Sequence, residues 1–192
     1  MVSDGISDSE CVQRIQQGET DAFELLVRRH QTSIFNLIYR MLGDYDEAAE
    51  IAQEAFLSAY KSIDQFRGEA NFSTWLYRIA LNHASTRRNI IAAWRQRTVP
   101  LDGADPIDER VVDPALLVEQ REIQQRVQIA LNSLPSDDAS IIVLKDLQDV
   151  SYEEMATMLN IPLGTVKSRL HRARQTLKAK LALLFSGDGK QQ

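Results

Sequence analysis

Residues 151–177 read SYEEMATMLNIPLGTVKSRLHRARQTL, and this stretch decides how the C-terminal part of the chain folds. Ser151, followed three residues later by Glu154, forms a capping box, which predicts the start of a helix. That helix is short, residues 161–164 form a tight turn, and a second helix opens at Thr165. Two helices joined by a short turn predict a helix-turn-helix motif, whose second helix enters the major groove of DNA.

The second helix of this motif has an apolar inner face and a basic outer face. Residues 165–180 contain six lysines and arginines and no acidic residue. The side chains expected to reach base edges are Lys167, Ser168, His171 and Arg172. The side chains better placed for phosphates are Arg169, Arg174, Lys178 and Lys180. A solvated basic helix is the simpler alternative, but the capping box, the turn and the apolar spacing together favour DNA binding.

A second basic island lies in an otherwise acidic chain. The 192 residues carry a formal net charge of −5, yet residues 66–97 hold six arginines against the single acid Glu69. Two basic islands in an acidic chain indicate two DNA-facing surfaces.

Aromatic and basic residues alternate at the start of this second island. Aromatic faces stack on unpaired bases while arginines hold the backbone, a chemistry that suits an opened strand or a flipped base. The residues concerned are Phe66, Arg67, Phe72, Trp75, Arg78, Asn82, Arg87 and Arg88. For any single aromatic residue, a place in the hydrophobic core is the competing interpretation.

The rest of the chain is predicted to be helical as well. Helices are expected over Asp8–Gln17, over residues 23–41, from a capping box of Asp44 and Glu47, and from near Ser73. A further helix behind Asp113 has an expected buried stripe of Leu117, Ile123, Val127, Ala130 and Leu131. The fold class is therefore all-α, with two small helical domains (residues 8–97 and 115–185) joined by a flexible acidic linker (residues 98–114).

Several classes of function are disfavoured by the composition. Cys11 is the only cysteine, which fits a reducing compartment, and the first residues do not resemble a signal peptide, so we expect a cytoplasmic protein. His30, His83 and His171 share no metal-ligand or catalytic spacing with Cys11. We therefore expect no enzyme activity, no catalytic residue, no metal and no cofactor.

Several segments together resemble the extracytoplasmic function (ECF) sigma factors of the sigma-70 family. In the N-terminal half these are residues 46–56 (DEAAEIAQEAF), 66–68 (FRG) and 72–82 (FSTWLYRIALN). In the C-terminal half they are residues 134–135 (LP), 151–154 (SYEE) and 164–170 (GTVKSRL). They occur in the family's order and spacing and span nearly the whole chain.

The resemblance implies a role for each matching segment. The helix after Asp44 would dock on the clamp helices of the polymerase β′ subunit, through Asp46, Glu50, Gln53, Glu54 and Leu57. The loop from Phe66 to Phe72, with Trp75, Arg78 and Asn82, would recognise the −10 element and hold a flipped base. Lys167, Ser168, His171 and Arg172 would recognise the −35 element. The linker would thread toward the active-site channel of the polymerase.

The implied partners are the RNA polymerase core (its β and β′ subunits), promoter DNA and an anti-sigma factor that holds the protein inactive, in some cases at the inner membrane. A role in a stress or envelope response is expected. Two alternatives stay open. One is a stand-alone helix-turn-helix regulator that binds palindromic operators as a dimer, and the other is a helical adaptor that does not bind DNA.

Overall fold

A computed structural model describes the backbone of residues 5–97 and 114–186, and the side chains of residues 5–94 and 122–186. Within these ranges the chain is helical and contains no strand, which confirms the predicted fold class. The predicted linker lies outside the described residues, except for Pro114, where a helix begins.

Four helices make up the N-terminal half. They are α1 (Asp8–Gln16), α2 (Ala22–Leu42), α3 (Tyr45–Ser62) and α4 (Phe72–Arg97), with a single 3-10 turn, Ile63–Gln65, directly after α3. The side chain of Ser7 accepts a hydrogen bond from the Glu10 amide and so caps α1. At the C-terminal end of α2, Gly43 adopts the left-handed conformation (φ +76°) that ends many helices.

The predicted capping box at the start of α3 forms only in part. The Asp44 carboxylate accepts a hydrogen bond from the Glu47 amide at 2.8 Å, as expected of an N-cap. The Glu47 carboxylate does not return to the Asp44 backbone; it lies 2.9 Å from the Arg87 guanidinium of α4. The reciprocal half of the prediction was wrong because an ion pair with a neighbouring helix engages the glutamate.

Helices α2, α3 and α4 pack together around one hydrophobic core. The large side chains that are fully buried there are Leu26, Ile34, Leu37, Ile38, Met41, Ile51 and Leu76. Helix α1 covers one side of this core with Cys11, which is wholly buried. Burial raises the pKa of the Cys11 thiol above its ordinary value, because the thiolate would lose its hydration.

The C-terminal half contains helices α5 (Pro114–Asn132), α6 (Ser136–Ile142), α7 (Tyr152–Leu159) and α8 (Leu163–Ser186), with a short π-helical segment, Val143–Leu147, after α6. The buried side chains that join them include Ile141, Leu144, Met155 and Leu170. Within the predicted stripe of α5, Ala130 and Leu131 are buried, but Ile123 is 44% exposed, which corrects the prediction for that residue.

The helix-turn-helix forms from α7 and α8. Ser151 and Glu154 make both hydrogen bonds of the capping box, and α7 ends at Asn160 in the left-handed conformation. Helix α8 begins at Leu163, two residues before the predicted start, so Gly164 belongs to its first turn instead of to the connection. The reason is Pro162: its carbonyl accepts the Val166 amide, and a proline at this boundary sacrifices no helical N–H.

Candidate nucleic-acid interface

Helix α8 presents the outer face that the sequence predicts. Val166, Leu170 and Ala173 are buried against the rest of the C-terminal half. The side chains on the opposite face are exposed, and they are Lys167, Ser168, His171 and Arg172. His171 and Arg172 have no carboxylate partner among the described side chains, so both are free to meet a ligand.

The two arginines expected at phosphates are held in place by acids of neighbouring elements. Arg169 lies 3.1 Å from the Asp137 carboxylate of α6. Arg174 donates two hydrogen bonds to Asp146, one of them from Nε at 3.0 Å. These bonds raise the pKa of Arg174, so the guanidinium is charged at any physiological pH. Both ion pairs are exposed and therefore contribute little to stability, and a phosphate can compete for the guanidinium groups.

Three aromatic rings form a cluster at the start of α4. The Phe66 and Trp75 ring centroids lie 5.2 Å apart, and those of Phe72 and Trp75 lie 5.7 Å apart. Phe66 and Trp75 also line an open cavity of about 760 Å³ together with Arg67 and Arg78. A cavity walled by aromatic faces and two arginines has the chemistry to hold an unpaired base and its phosphate.

The eight residues predicted at this second surface do not all reach solvent. Arg67, Arg78 and Asn82 are exposed, and Phe66 and Trp75 are half-buried. Phe72 is only 3% exposed and Arg88 only 7% exposed. Phe72 supports the aromatic cluster from the core, and Arg88 bonds to backbone carbonyls, so a direct DNA contact predicted for either residue does not hold in this arrangement.

Arg87 was also predicted to lie at the DNA-facing surface, but its guanidinium pairs with glutamates of α3 instead. Its guanidinium lies 2.9 Å from Glu47, 3.2 Å from Glu50 and 4.0 Å from Glu54, all on α3. Next to it, His83 Nδ1 lies 3.4 Å from Glu54, and Nε2 lies 2.9 Å from the Ser58 hydroxyl. These contacts join α4 to the acidic side of α3, and no local pattern predicts them, because the partners lie 25 to 40 residues apart.

The outer face of α3 is acidic with an exposed apolar edge. Asp46, Glu50, Gln53 and Leu57 recur at helical spacing and are all exposed. Leu57 is 52% exposed, and two tyrosines that sequence reasoning missed, Tyr45 and Tyr60, are 61% and 39% exposed. An exposed mixture of carboxylates and large apolar groups is typical of a surface that binds another protein.

Residues of the C-terminal half lie against the N-terminal surface. Thr157 of α7 lines the same cavity as Trp75 and Arg78. A second cavity, of about 590 Å³, lies between Asn89 of α4 and Arg172 of α8. No pattern in the sequence could have revealed these contacts, because each joins residues about 80 positions apart.

Comparison with known proteins identifies the two halves. The sigma-70 region 2 model matches residues 26–98, and the sigma-70 region 4 model matches residues 124–177. The chain is 36% identical to the RNA polymerase sigma-H factor of Pseudomonas aeruginosa, over 93% of this chain and 95% of that one. It is also 36% identical to the ECF RNA polymerase sigma-E factor of Escherichia coli K12, over 96% of this chain and 99% of that one.

A solved structure shares the fold. The sigma factor RpoE of Bartonella quintana, solved in complex with the anti-sigma factor NepR, superposes with a TM-score of 0.61. The two sequences are 22% identical, and the match covers 83% of this chain and 96% of that one.

A two-domain helical protein with region 2 and region 4 in this order is a transcription initiation factor. The chain belongs to the ECF sigma factors of the sigma-70 family. The match to region 2 rules out the stand-alone regulator, which would carry only the helix-turn-helix. The family consists of initiation factors and not of enzymes. Among the described residues, no helix is long and apolar enough to cross a bilayer, and no three potential ligands cluster as a metal site would require.

Proposed function

We propose that this ECF sigma factor, when it directs RNA polymerase to promoters, contacts DNA through two surfaces, one on each domain. The N-terminal surface consists of the cavity beside Trp75 and the exposed side chains of Arg67, Arg78 and Asn82. The C-terminal surface is the outer face of α8. We take the domains as residues 8–97 and 115–185.

The N-terminal surface would recognise the −10 element in its opened form. The Phe66 and Trp75 rings would stack on an unpaired base of the non-template strand, while Arg67 and Arg78 would hold the flanking phosphates. The base flips more readily once the duplex is unpaired, so binding to the flipped base favours melting. The chain would supply binding energy only, and the polymerase would form the phosphodiester bonds.

The C-terminal surface would recognise the −35 element in duplex form. Helix α8 would lie in the major groove, with Lys167, His171 and Arg172 at base edges. Ser168 would add a hydrogen bond, and Arg169 and Arg174 would exchange Asp137 and Asp146 for phosphates.

The outer face of α3 would bind the core polymerase. Its carboxylates Asp46, Glu50 and Glu54 suit a basic partner such as the β′ clamp helices, and Gln53 adds a hydrogen-bonding group. Leu57 supplies an exposed apolar contact at the edge of the face. Arg87 would hold Glu50 and Glu54 in fixed positions, which lowers the entropy lost on binding.

An anti-sigma factor is a further proposed partner, supported by the likeness in fold to a sigma factor solved with one. Such a partner would hold the chain inactive in the cytoplasm, or at the inner membrane surface, until a stress or envelope signal releases it. Further support comes from the identity with sigma-E and sigma-H factors over most of their length.

The observation that carries the −10 assignment is the aromatic cavity flanked by exposed arginines, and Arg78→Ala tests it. Arg78 is exposed, so its removal leaves folding intact but should lower the amount of open complex on a cognate promoter by about tenfold. The measurement is permanganate reactivity of unpaired thymines with core polymerase present. Arg28→Ala, an exposed arginine paired with Glu24 on α2, is the matched control and should behave as wild type. Equal opening by both variants would contradict the assignment.

A further inference from the structure

Helix α1 reaches the loop before α4 through one side chain, Gln16. The amide nitrogen Nε2 of Gln16 donates to the Ile63 carbonyl at 2.9 Å and to the Phe66 carbonyl at 3.1 Å. The Ile63 carbonyl also accepts a hydrogen bond from the Phe66 amide at 3.1 Å, which closes the 3-10 turn. Both polar groups of the Phe66 backbone are therefore bonded, one within the turn and one to α1, and this restricts the position from which the Phe66 ring projects.

Helix α1 also reaches the other end of the loop, through Asp8. The Asp8 carboxylate lies 2.7 Å from Nε2 of His30 on α2, and Nε2 is the donor because a carboxylate only accepts. The His30 ring packs against the Phe72 ring, with the centroids 5.6 Å apart. Phe72 is 3% exposed and its ring contacts Trp75, so the series of contacts that begins at Asp8 ends at the second stacking ring.

The loop between these two points has few bonds of its own. Residues 67–70 belong to no helix, and in the described part of the chain their backbone groups bond to no other backbone group. The Phe66 and Phe72 rings lie 6.0 Å apart, so the two ends of the loop meet. The position of such a loop depends on its ends, and here α1 holds both of them.

The simpler alternative is that these bonds only keep α1 attached to the domain. Helix α1 is already attached by the buried side chains of Cys11, Val12 and Ile15. Gln16 itself is exposed, and the burial of a whole apolar side chain outweighs a hydrogen bond that is open to water. Helix α1 therefore does not need Gln16 to stay in place, and what the two bonds fix is the backbone opposite, at Phe66.

We propose that α1 positions the −10 surface: Gln16 and Asp8, without contacting DNA themselves, place the Phe66 and Trp75 rings on which the flipped base stacks. The proposal rests on the proposed function, because the placement of these rings matters for recognition only if they receive a base. Rings that are already held in the stacking position lose less entropy when the base arrives, so this placement raises the affinity for the opened strand. Gln16 acts through Phe66, and Asp8 acts through His30.

The test measures how tightly the holoenzyme, the full chain with core polymerase, binds a promoter fragment whose −10 element is single-stranded on the non-template strand. The promoter is one whose start site has been mapped with this chain, and each −10 nucleotide is replaced in turn by an abasic one. Phe66→Ala should weaken binding to the intact strand by about tenfold, because stacking on the base is lost. An abasic nucleotide at the flipped position should remove this difference, and that position is the reference for the other variants.

Gln16→Ala should weaken binding to the intact strand by about fivefold, because two hydrogen bonds are lost, and its effect should vanish at the same abasic position. In the double variant Gln16→Ala/Phe66→Ala the loss should equal that of Phe66→Ala alone, because the two residues act as one unit. Gln13→Ala, at an exposed glutamine three residues earlier on α1, is the matched control and should bind as the wild type does. A purely structural defect would weaken binding at every abasic position alike.

Asp8→Ala tests the second contact in the same way. It should weaken binding by about threefold and lose its effect at the same abasic position, because His30 no longer has its acceptor. Asp8→Asn is the matched control, since asparagine keeps an oxygen that can accept from His30 Nε2. It should restore most of the affinity, although it weakens the ion pair of Asp8 with Arg29.

The proposal would be overturned by a Gln16→Ala variant that binds the intact strand as tightly as the wild type, or by one whose loss is equal at every abasic position while that of Phe66→Ala is not. An Asp8→Asn variant as weak as Asp8→Ala would trace the second effect to Arg29 and remove His30 from it. If Phe66→Ala itself showed no position dependence, the proposed −10 surface would be refuted, and the positioning role with it.

Discussion

Arg87 and Arg88 are adjacent in the sequence, yet their guanidinium groups lie in different surroundings. Arg87 pairs with three glutamates of α3, whereas Arg88 is buried against carbonyls of α2, α5 and the turn that follows α5. The local sequence predicts a basic pair on one helix and cannot tell the two apart, because every partner is 33 or more residues away. The exposed arginines of α8 were easier to place, since the apolar spacing of their own helix determines the face on which they lie.

The exposed arginines of α8 allow a test at the level of single residues. Arg172→Ala should cost about 1–3 kcal/mol at the −35 element and relax specificity at one base pair, because we propose that Arg172 contacts a base edge. Arg169→Ala should weaken binding to all sequences by a similar factor, because we propose that Arg169 contacts a phosphate. Competition binding of polymerase holoenzyme to promoters with single substitutions measures both. The same loss of specificity in both variants, or in neither, would count against these roles.

At the level of elements, the helix-turn-helix followed from local signals almost completely. The capping box of Ser151 and Glu154 and the buried faces of α7 and α8 appear as the sequence predicts. The start of α8 was misplaced, because a proline and a glycine only two residues apart, Pro162 and Gly164, favour a turn, while the actual turn is made by Asn160 with a positive φ. The ion pairs that α3 makes with α4 could not be predicted, since ion pairs between helices leave no periodic signal in the sequence.

The capping box gives a prediction about stability. Ser151→Ala removes the acceptor for the Glu154 amide and should lower the free energy of unfolding by about 1 kcal/mol. Glu154→Gln is the matched control, because glutamine also completes a capping box and should cost less. Chemical denaturation followed by circular dichroism measures both changes. A control variant as unstable as Ser151→Ala would show that the carboxylate, and not the cap, stabilises α7.

The outer face of α3 gives a second prediction at this scale. Leu57→Ala should weaken binding to core polymerase by about tenfold, which corresponds to about 1.4 kcal/mol, without a change in stability, because the side chain is 52% exposed. Leu183→Ala makes the same change at a leucine of α8 that is 75% exposed, and it should bind as the wild type does. Titration of labelled chain with core polymerase decides between them, and equal affinities would remove Leu57 from the docking face.

For the whole molecule, the sequence predicted two DNA-facing surfaces but not their relation. Unequal charge along the chain separates two basic islands from an acidic remainder, and the structure assigns one island to α4 and the other to α8. The packing of the two domains rests on side chains such as Gln128 and Asn132, which look like ordinary polar residues of a helix. Their hydrogen bonds span 88 and 90 residues, and only the folded chain reveals them.

The central claim is that two surfaces, one on each domain, direct core polymerase to promoters with two separate elements. Transcription in vitro tests it most directly, with purified chain, core polymerase free of any other sigma factor and a pool of genomic fragments, followed by mapping of the transcript 5′ ends. The account predicts discrete start sites that require the chain and are preceded by two shared elements at a regular spacing. It would be contradicted if no transcript depended on the chain while the chain alone bound palindromic DNA as a dimer.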